Sequence, residues 1–227
     1  MEKLTFETVL SNIKEDKPFS FSRFGDGEWN SILNKSGANC DGHSYFPEMG
    51  KALANILIDK PSYHIGMQAH AMRGNGKEIE HFLKTKTSLI IDDFCVADMF
   101  HKSSIKGLFN GFFKALEGKE IILVAPKYLR AINNLIQYNE FIVVPEHNCW
   151  TDYRRLVSET KVLSLKYKNP VILFVASMPA NAIVDVLYKE IGSFATLLDM
   201  GSVFDPFVDK HTRTYHKSKD IKVLNLK

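Results

Sequence analysis

Two uninterrupted apolar runs constrain this fold more than any other feature of the chain: Glu120–Ala125, read EIILVA, and Val171–Ala176, read VILFVA. A strand with one wet face alternates apolar and polar residues, whereas a run without alternation is buried on both faces. Helical patterns lie between and after them, over Lys127–Gln137, Thr151–Leu165 and Asn181–Glu190, with further strands at Phe141–Val144 and Phe194–Asp199. The first half reads the same way. Helices are predicted over Thr5–Lys14, Glu28–Asn34, Phe46–Ile58 and Lys77–Lys84, and strands over Phe19–Phe24, Tyr63–Met67 and Ser88–Ile91. Such alternation predicts an α/β, Rossmann-like fold, a single domain over residues 1–227 whose mostly parallel sheet carries helices on both faces. Ligands of such sheets gather at the carboxyl ends of the strands. That rule nominates the loops after Phe24, Ile91, Ala125, Val144, Ala176 and Leu198.

Composition narrows the class. The chain is 45% hydrophobic and 24% charged over 227 residues, enough apolar material for a core and too much for disorder. A net charge of +3 permits an anionic substrate but lacks the dense basic stripe of a dedicated DNA binder. Three cysteines, Cys40, Cys95 and Cys149, lie far apart without CxxC spacing, so neither a disulfide framework nor a zinc knuckle is expected, and a reducing, cytoplasmic setting is. No secretory apolar region opens the chain, and no apolar run approaches the roughly 20 residues of a membrane span.

The segment Phe21-Ser22-Arg23-Phe24-Gly25-Asp26-Gly27-Glu28-Trp29 carries the most chemistry. Two carboxylates stand two residues apart in a glycine-rich turn. In an extended segment such side chains face the same way, so Asp26 and Glu28 are expected to meet one hard cation, magnesium or manganese, that bridges to substrate phosphates. Gly25 and Gly27 let the backbone turn and approach a ligand, and Arg23 offers a planar cation to a phosphate. The structural alternative is a tight turn with Glu28 opening a helix, where negative charge is favourable.

A second segment runs from Val171 to Phe207. A buried strand enters the small-residue loop Ser177–Ala180, and a helix starts with Pro179 in its first turn. That helix N-terminus suits a phosphate or ribose, with Ser177 and Asn181 adding hydrogen bonds. The next strand ends at Asp199-Met200-Gly201-Ser202, with Asp205 close behind. The alternative here is a purely structural βαβ unit.

Taken together, RFGDGE and the late strand-loop-helix-strand ending in LDMGSVFDPF resemble the GT-D fold glycosyltransferases. The resemblance spans about Ser20–Phe207 and is strong at its two ends. It implies that Asp26 and Glu28 are the acidic motif that meets the metal (Mn2+ or Mg2+) and the donor diphosphate, with Arg23 as the arginine before it. Ser177, Pro179 and Asn181 then belong to the nucleotide-binding loop, and Asp199 and Gly201 to the Asp-X-Gly that ends the last strand. Pro145–Tyr153 is similar to an Asn-aromatic-Tyr stretch before a long helix in some members. One departure is plain: a polar residue, often histidine, is expected after Asp-X-Gly, and this chain has Ser202, with Asp205 or His211 as substitutes for the missing contact. The resemblance further implies a nucleotide-sugar donor, a UDP-sugar by expectation. The acceptor would be a glycan, a glycoprotein or, as for small stand-alone phage-type members, a hydroxymethylated DNA base.

Other residues were open to chemistry. A base for the acceptor hydroxyl would come from Asp152, Glu146, His147 or Asp205. Arg73–Lys77, between strand and helix, reads as a phosphate cradle or as a plain turn, and it lacks the full phosphate-loop patterns. Asp92-Asp93 reads as a second acidic site or a helix cap. His64, His70, His81 and His101 have no metal-ligand spacing. Within Thr212–His216, Arg213, Tyr215 and His216 are expected to wall the site, Arg213 binding a diphosphate or an anionic acceptor. Rival classes are a non-catalytic nucleotide-binding module and another Rossmann-like transferase such as a methyltransferase.

Overall fold

The computed structural model describes residues 2–211 together with Arg213 and His216. It contains one seven-stranded sheet: β1 (Ser20–Phe24), β2 (His64–Met67), β3 (Cys95–Val96), β4 (Ile121–Pro126), β5 (Glu140–Val144), β6 (Val171–Phe174) and β7 (Thr196–Asp199). The order is β3-β2-β1-β7-β6-β4-β5, and every pair is parallel. From β4 the chain leaves towards β5, and from β6 it leaves the other way towards β7. A crevice for a ligand opens where the winding reverses in this manner.

The apolar runs do what their lack of alternation requires. Ile122, Val124, Ile172, Phe174 and Leu197 face one core, and Ile121, Leu123, Ala125, Val171, Leu173 and Leu198 face the other. The first core is covered by α2 (Asp26–Ile32), α3 (Pro47–Ile58), α4 (Ala69–Lys86), α7 (Tyr153–Ser164) and α8 (Pro179–Ile191). The second is covered by α1 (Phe6–Lys14), α5 (Met99–Ile105) and α6 (Phe109–Leu116). Phenylalanines dominate that second core. Phe109 stacks on Phe6 and Phe112 at 5.9 and 5.1 Å between ring centroids, contacts worth about 1 kcal/mol each beyond burial.

Four local expectations are corrected. Ser88–Ile91 is not a strand. Residues Ile91–Asp93 form a single 3-10 turn with Ile90 and Ile91 exposed, and the strand follows at Cys95–Val96. Apolar character misled there because it sits on the surface. Lys127–Asn134 is a 3-10 segment rather than an α-helix. Arg73–Lys77 lies inside α4, whose helical geometry breaks at Asn75 (φ −126°, ψ 18°). And Asp26 and Glu28 are helical, as the first and third residues of α2 after the N-cap Gly25. Helices α5 and α6 fill the stretch where no element was predicted.

Candidate active site

A cleft of about 1230 Å³ runs along the carboxyl edge of the sheet, lined from the loop after every strand. Its floor is built from β1 outward. At the end of β1, Arg23 is held from both directions. Its backbone N–H donates to Asn181 Oδ1 (3.1 Å), and its carbonyl accepts from Asn181 Nδ2 (2.7 Å). Its guanidinium meets Asp199 at 3.2 Å (Nε–Oδ2) and 3.3 Å (Nη2–Oδ1). Asp199 Oδ1 also accepts the Gly201 N–H at 3.0 Å. Gly201 has φ +55°, and a Cβ there would run into the guanidinium. The Asp-X-Gly therefore has a physical job: Asp199 orients Arg23, and Gly201 leaves it room.

Three residues expected at the nucleotide lie outside the cleft lining. Asn181 is fully buried, with both ends of its amide spent on Arg23, and Asp199 is 2% exposed behind the same arginine. Neither lines the cleft, nor does the buried Pro179. Asn181 and Asp199 position Arg23. Ser177 does line the cleft, in a left-handed conformation (φ 52°), and its hydroxyl accepts from Asn39 Nδ2 at 3.0 Å. A non-glycine residue held there is strained by about 1 kcal/mol or more, a cost typical of functional loops.

Asp26 and Glu28 both line the cleft. Residues two apart on a helix do not face each other as they would on a strand, yet both belong to the first turn of α2 and point its acidic end at the opening. Glu28 Oε2 accepts the Gly25 N–H at 2.9 Å, capping the helix, while Asp26 is exposed. Burial and then the neighbouring Asp199 carboxylate push the Glu28 pKa up to about 7, against the pull of Arg23. Burial likewise raises Asp199 above its usual value, opposed by Arg23. Burying two carboxylates near each other works against folding stability, and Arg23 offsets part of that cost. Gly25 and Gly27 supply closeness rather than a turn. A Cβ on Gly25 would come within 2.7 Å of Gln68 Oε1, and one on Gly27 within 3.0 Å of Met178 Sδ.

The far wall comes from the C-terminal segment. Ser202, Asp205, Lys210 and Arg213 all line the cleft. Asp205 Oδ1 accepts the Tyr128 hydroxyl at 2.9 Å, and burial followed by Asp205 raises the Tyr128 pKa. Lys210 Nζ lies 3.4 Å from the Tyr128 ring centroid. Arg213 pairs with Asp41 and contacts Cys40, while its Nε donates to Ser202 Oγ at 3.4 Å. His216 Nε2 lies 3.2 Å from the Ser202 carbonyl, and burial brings its pKa down to about 4. Of the residues expected to wall the site, Arg213 thus lines the cleft; Thr212, Thr214 and Tyr215 lie outside the described residues.

Sequence reasoning missed the loop 39–44. It ties Asn39 to Ser177, the Asp41 carbonyl to His147 Nδ1 (3.1 Å), the Ser44 N–H to Asn148 Oδ1 (2.8 Å) and Asp41 to Arg213. Only its polar density hinted at this. Gln68, His70, Asp98, His101 and Lys102 also line the cleft, and so does Arg73. His64 and His81 do not. Nor does Asp152, which is paired with Arg155 at 2.5 Å. Asp93 caps its own turn by accepting the Ile90 N–H at 2.9 Å.

No protein-family model matches the chain, and comparison with curated proteins finds no match. Two solved structures share the fold. One is a selenomethionine-substituted domain of unknown function 1792, with a TM-score of 0.70 and 19% identity over 98% of this chain and 91% of that one. The other, described as showing that this highly conserved domain has a distinct glycosyltransferase fold, has a TM-score of 0.68 with the same identity and coverage. The chain therefore has a glycosyltransferase-like α/β fold. Among the described residues no helix is long and apolar enough to cross a membrane.

Proposed function

We propose that the chain is a glycosyltransferase that takes a sugar from a nucleoside-diphosphate donor, UDP by expectation, with a divalent cation. One observation carries the reading: Asp26, Glu28 and the braced guanidinium of Arg23 converge on the floor of a large cleft at the carboxyl edge of a glycosyltransferase-like sheet.

The carboxylates fit magnesium or manganese. They are hard oxygen donors on one helical turn, and Asp26 is exposed to the cleft. Among the described residues no group of three or more histidine, cysteine, aspartate or glutamate side chains is placed to hold a metal ion, so the protein's share of the coordination would be two carboxylates at most. Asp26 and Glu28 would thus hold the ion by two carboxylates, leaving its other positions to diphosphate oxygens and water, the way magnesium is usually held. When bound, the ion would neutralise charge on the departing nucleoside diphosphate.

Arg23 supports the same charge from the protein side. Asp199 and Asn181 fix its orientation in advance, so little reorganisation is needed as charge develops. Its planar fork suits two phosphate oxygens. Ser177 and Ser202 offer hydroxyls from the loops after the neighbouring strands β6 and β7. Of the expected bases for the acceptor hydroxyl, Glu146, His147 and Asp205 line the cleft. The test is a donor panel: nucleotide sugars incubated with manganese, with release of nucleoside diphosphate as the readout. Release from one donor supports the reading. No release from any donor, together with binding of S-adenosylmethionine, would replace it with the methyltransferase class.

A further inference from the structure

The cleft is charged unevenly, and the unevenness bears on what it accepts. Two of its cations are committed to carboxylates: Arg23 to Asp199 and Arg213 to Asp41. Of the other three, Lys210 lies over the Tyr128 ring on the far wall, while Arg73 and Lys102 are exposed, line the cleft and make no ion pair among the described residues. They come from different elements, Arg73 from α4 after β2 and Lys102 from α5 after β3, so both sit at the β2–β3 end of the sheet. Asp98 is the carboxylate that shares this end of the wall, and His70 Nδ1 lies 3.5 Å from Arg73 Nη2. His101, also here, adds no charge. Burial and then Arg23 hold its pKa well below the usual value.

The placement of Arg73 is built. Helix α4 departs from helical geometry at Asn75, about two turns into its length, where the buried Asn75 side chain is held by polar contacts. Asn75 Oδ1 accepts from Lys35 Nζ at 2.6 Å, and Asn75 Nδ2 donates to Asn30 Oδ1 at 3.0 Å. They tie this part of α4 to α2 and the segment after it, and Arg73, two residues before Asn75, lines the cleft.

We propose that Arg73 and Lys102 bind a phosphate group of the acceptor, so that the enzyme glycosylates a phosphorylated small molecule or headgroup. This rests on the glycosyltransferase reading, which assigns the Asp26–Arg23 region to the donor. Two exposed cations at the same end of a cleft suit a single phosphate ester, since charge-assisted contacts to a dianion are strong and directional. They do not form the extended basic stripe that a nucleic-acid backbone calls for.

The experiment is calorimetry on the full chain, first with UDP and manganese, then with glucose 1-phosphate added to the UDP-saturated protein, and glucose as the neutral control. Wild type is compared with Arg73→Ala/Lys102→Ala and with Lys106→Ala, an exposed cation outside the cleft. The proposal expects glucose 1-phosphate to bind wild type and Lys106→Ala, to bind the double variant at least ten-fold more weakly, and glucose to bind none of them at comparable strength. UDP affinity should be equal in all three. Weaker UDP binding in the double variant would overturn the proposal by giving these cations to the donor. Equal binding of the sugar phosphate by wild type and double variant would overturn it too, as would no preference for it over glucose or tighter binding of a DNA duplex with steep salt dependence. Failure of UDP to bind wild type would count against the donor reading, and the sugar-phosphate comparison would still be read on the unliganded protein.

Discussion

Asn181 closes a two-way hydrogen-bonded clasp on the backbone of Arg23, accepting its N–H at 3.1 Å and donating to its carbonyl at 2.7 Å, with the amide entirely buried. This makes Asn181 a positioning residue. Asn181→Ala leaves two buried backbone groups unsatisfied and is expected to cost about 2 kcal/mol of folding stability, with a fall of several degrees in Tm. Urea unfolding checks this. An unchanged midpoint with only a raised donor KM would return Asn181 to the ligand.

Gly201 is the tightest point of the site. Its φ of +55° and the guanidinium over its α-carbon leave no place for a methyl group. Gly201→Ala is expected to displace Arg23, weakening UDP binding ten-fold or more while costing about 1–2 kcal/mol in stability. Wild-type affinity for UDP in this variant would mean that Arg23 does not touch the donor.

Glu28 should reveal itself through pH. Its pKa is raised from 4.5 to about 7 by burial and by Asp199. Below pH 4.5 it is protonated folded or unfolded, and nothing is lost. As pH rises the unfolded chain ionises first, so stability falls until about pH 7, by roughly 3 kcal/mol. Glutamine keeps an oxygen to cap Gly25 and has no charge to bury. Thermal melts of Glu28→Gln without metal should therefore show a gain of several degrees at pH 8 and little change at pH 4.5, while transfer is lost. An equal shift at both pH values would show that Glu28 is not held near neutrality.

The Arg213–Asp41 pair ties the C-terminal segment to the loop 39–44, with side chains 22% and 26% exposed. A double-mutant cycle on Arg213→Ala and Asp41→Ala, read as donor kcat/KM, is expected to show coupling of about 1 kcal/mol. A chain ending at Phe207 should lose turnover with little loss of stability. Full activity in that truncation would make the segment a bystander.

The sheet was legible because its central strands are buried on both faces, and EIILVA and VILFVA admit few other readings. The edge was not. Cys95–Val96 is too short to leave a pattern, and the exposed Ile90 and Ile91 imitated a strand. At the site, the acids were legible as a motif but not as a geometry. Spacing alone does not say whether Asp26 and Glu28 lie on a strand or on a helix, and the helix begins one residue after Gly25. Asn181 and Asp199 drew notice as polar residues beside a cleft, and only their partners show that they brace Arg23. The loop 39–44 and Lys102 gain their meaning from contacts distant in sequence, which no local pattern carries.

The most direct test of the account is calorimetric titration of UDP into the protein with manganese, repeated after EDTA and in Asp26→Asn. The account predicts binding that disappears with the metal and falls at least ten-fold in the variant, whose melt stays at the wild-type temperature. UDP binding of equal strength with and without metal, or undiminished in Asp26→Asn, would contradict it.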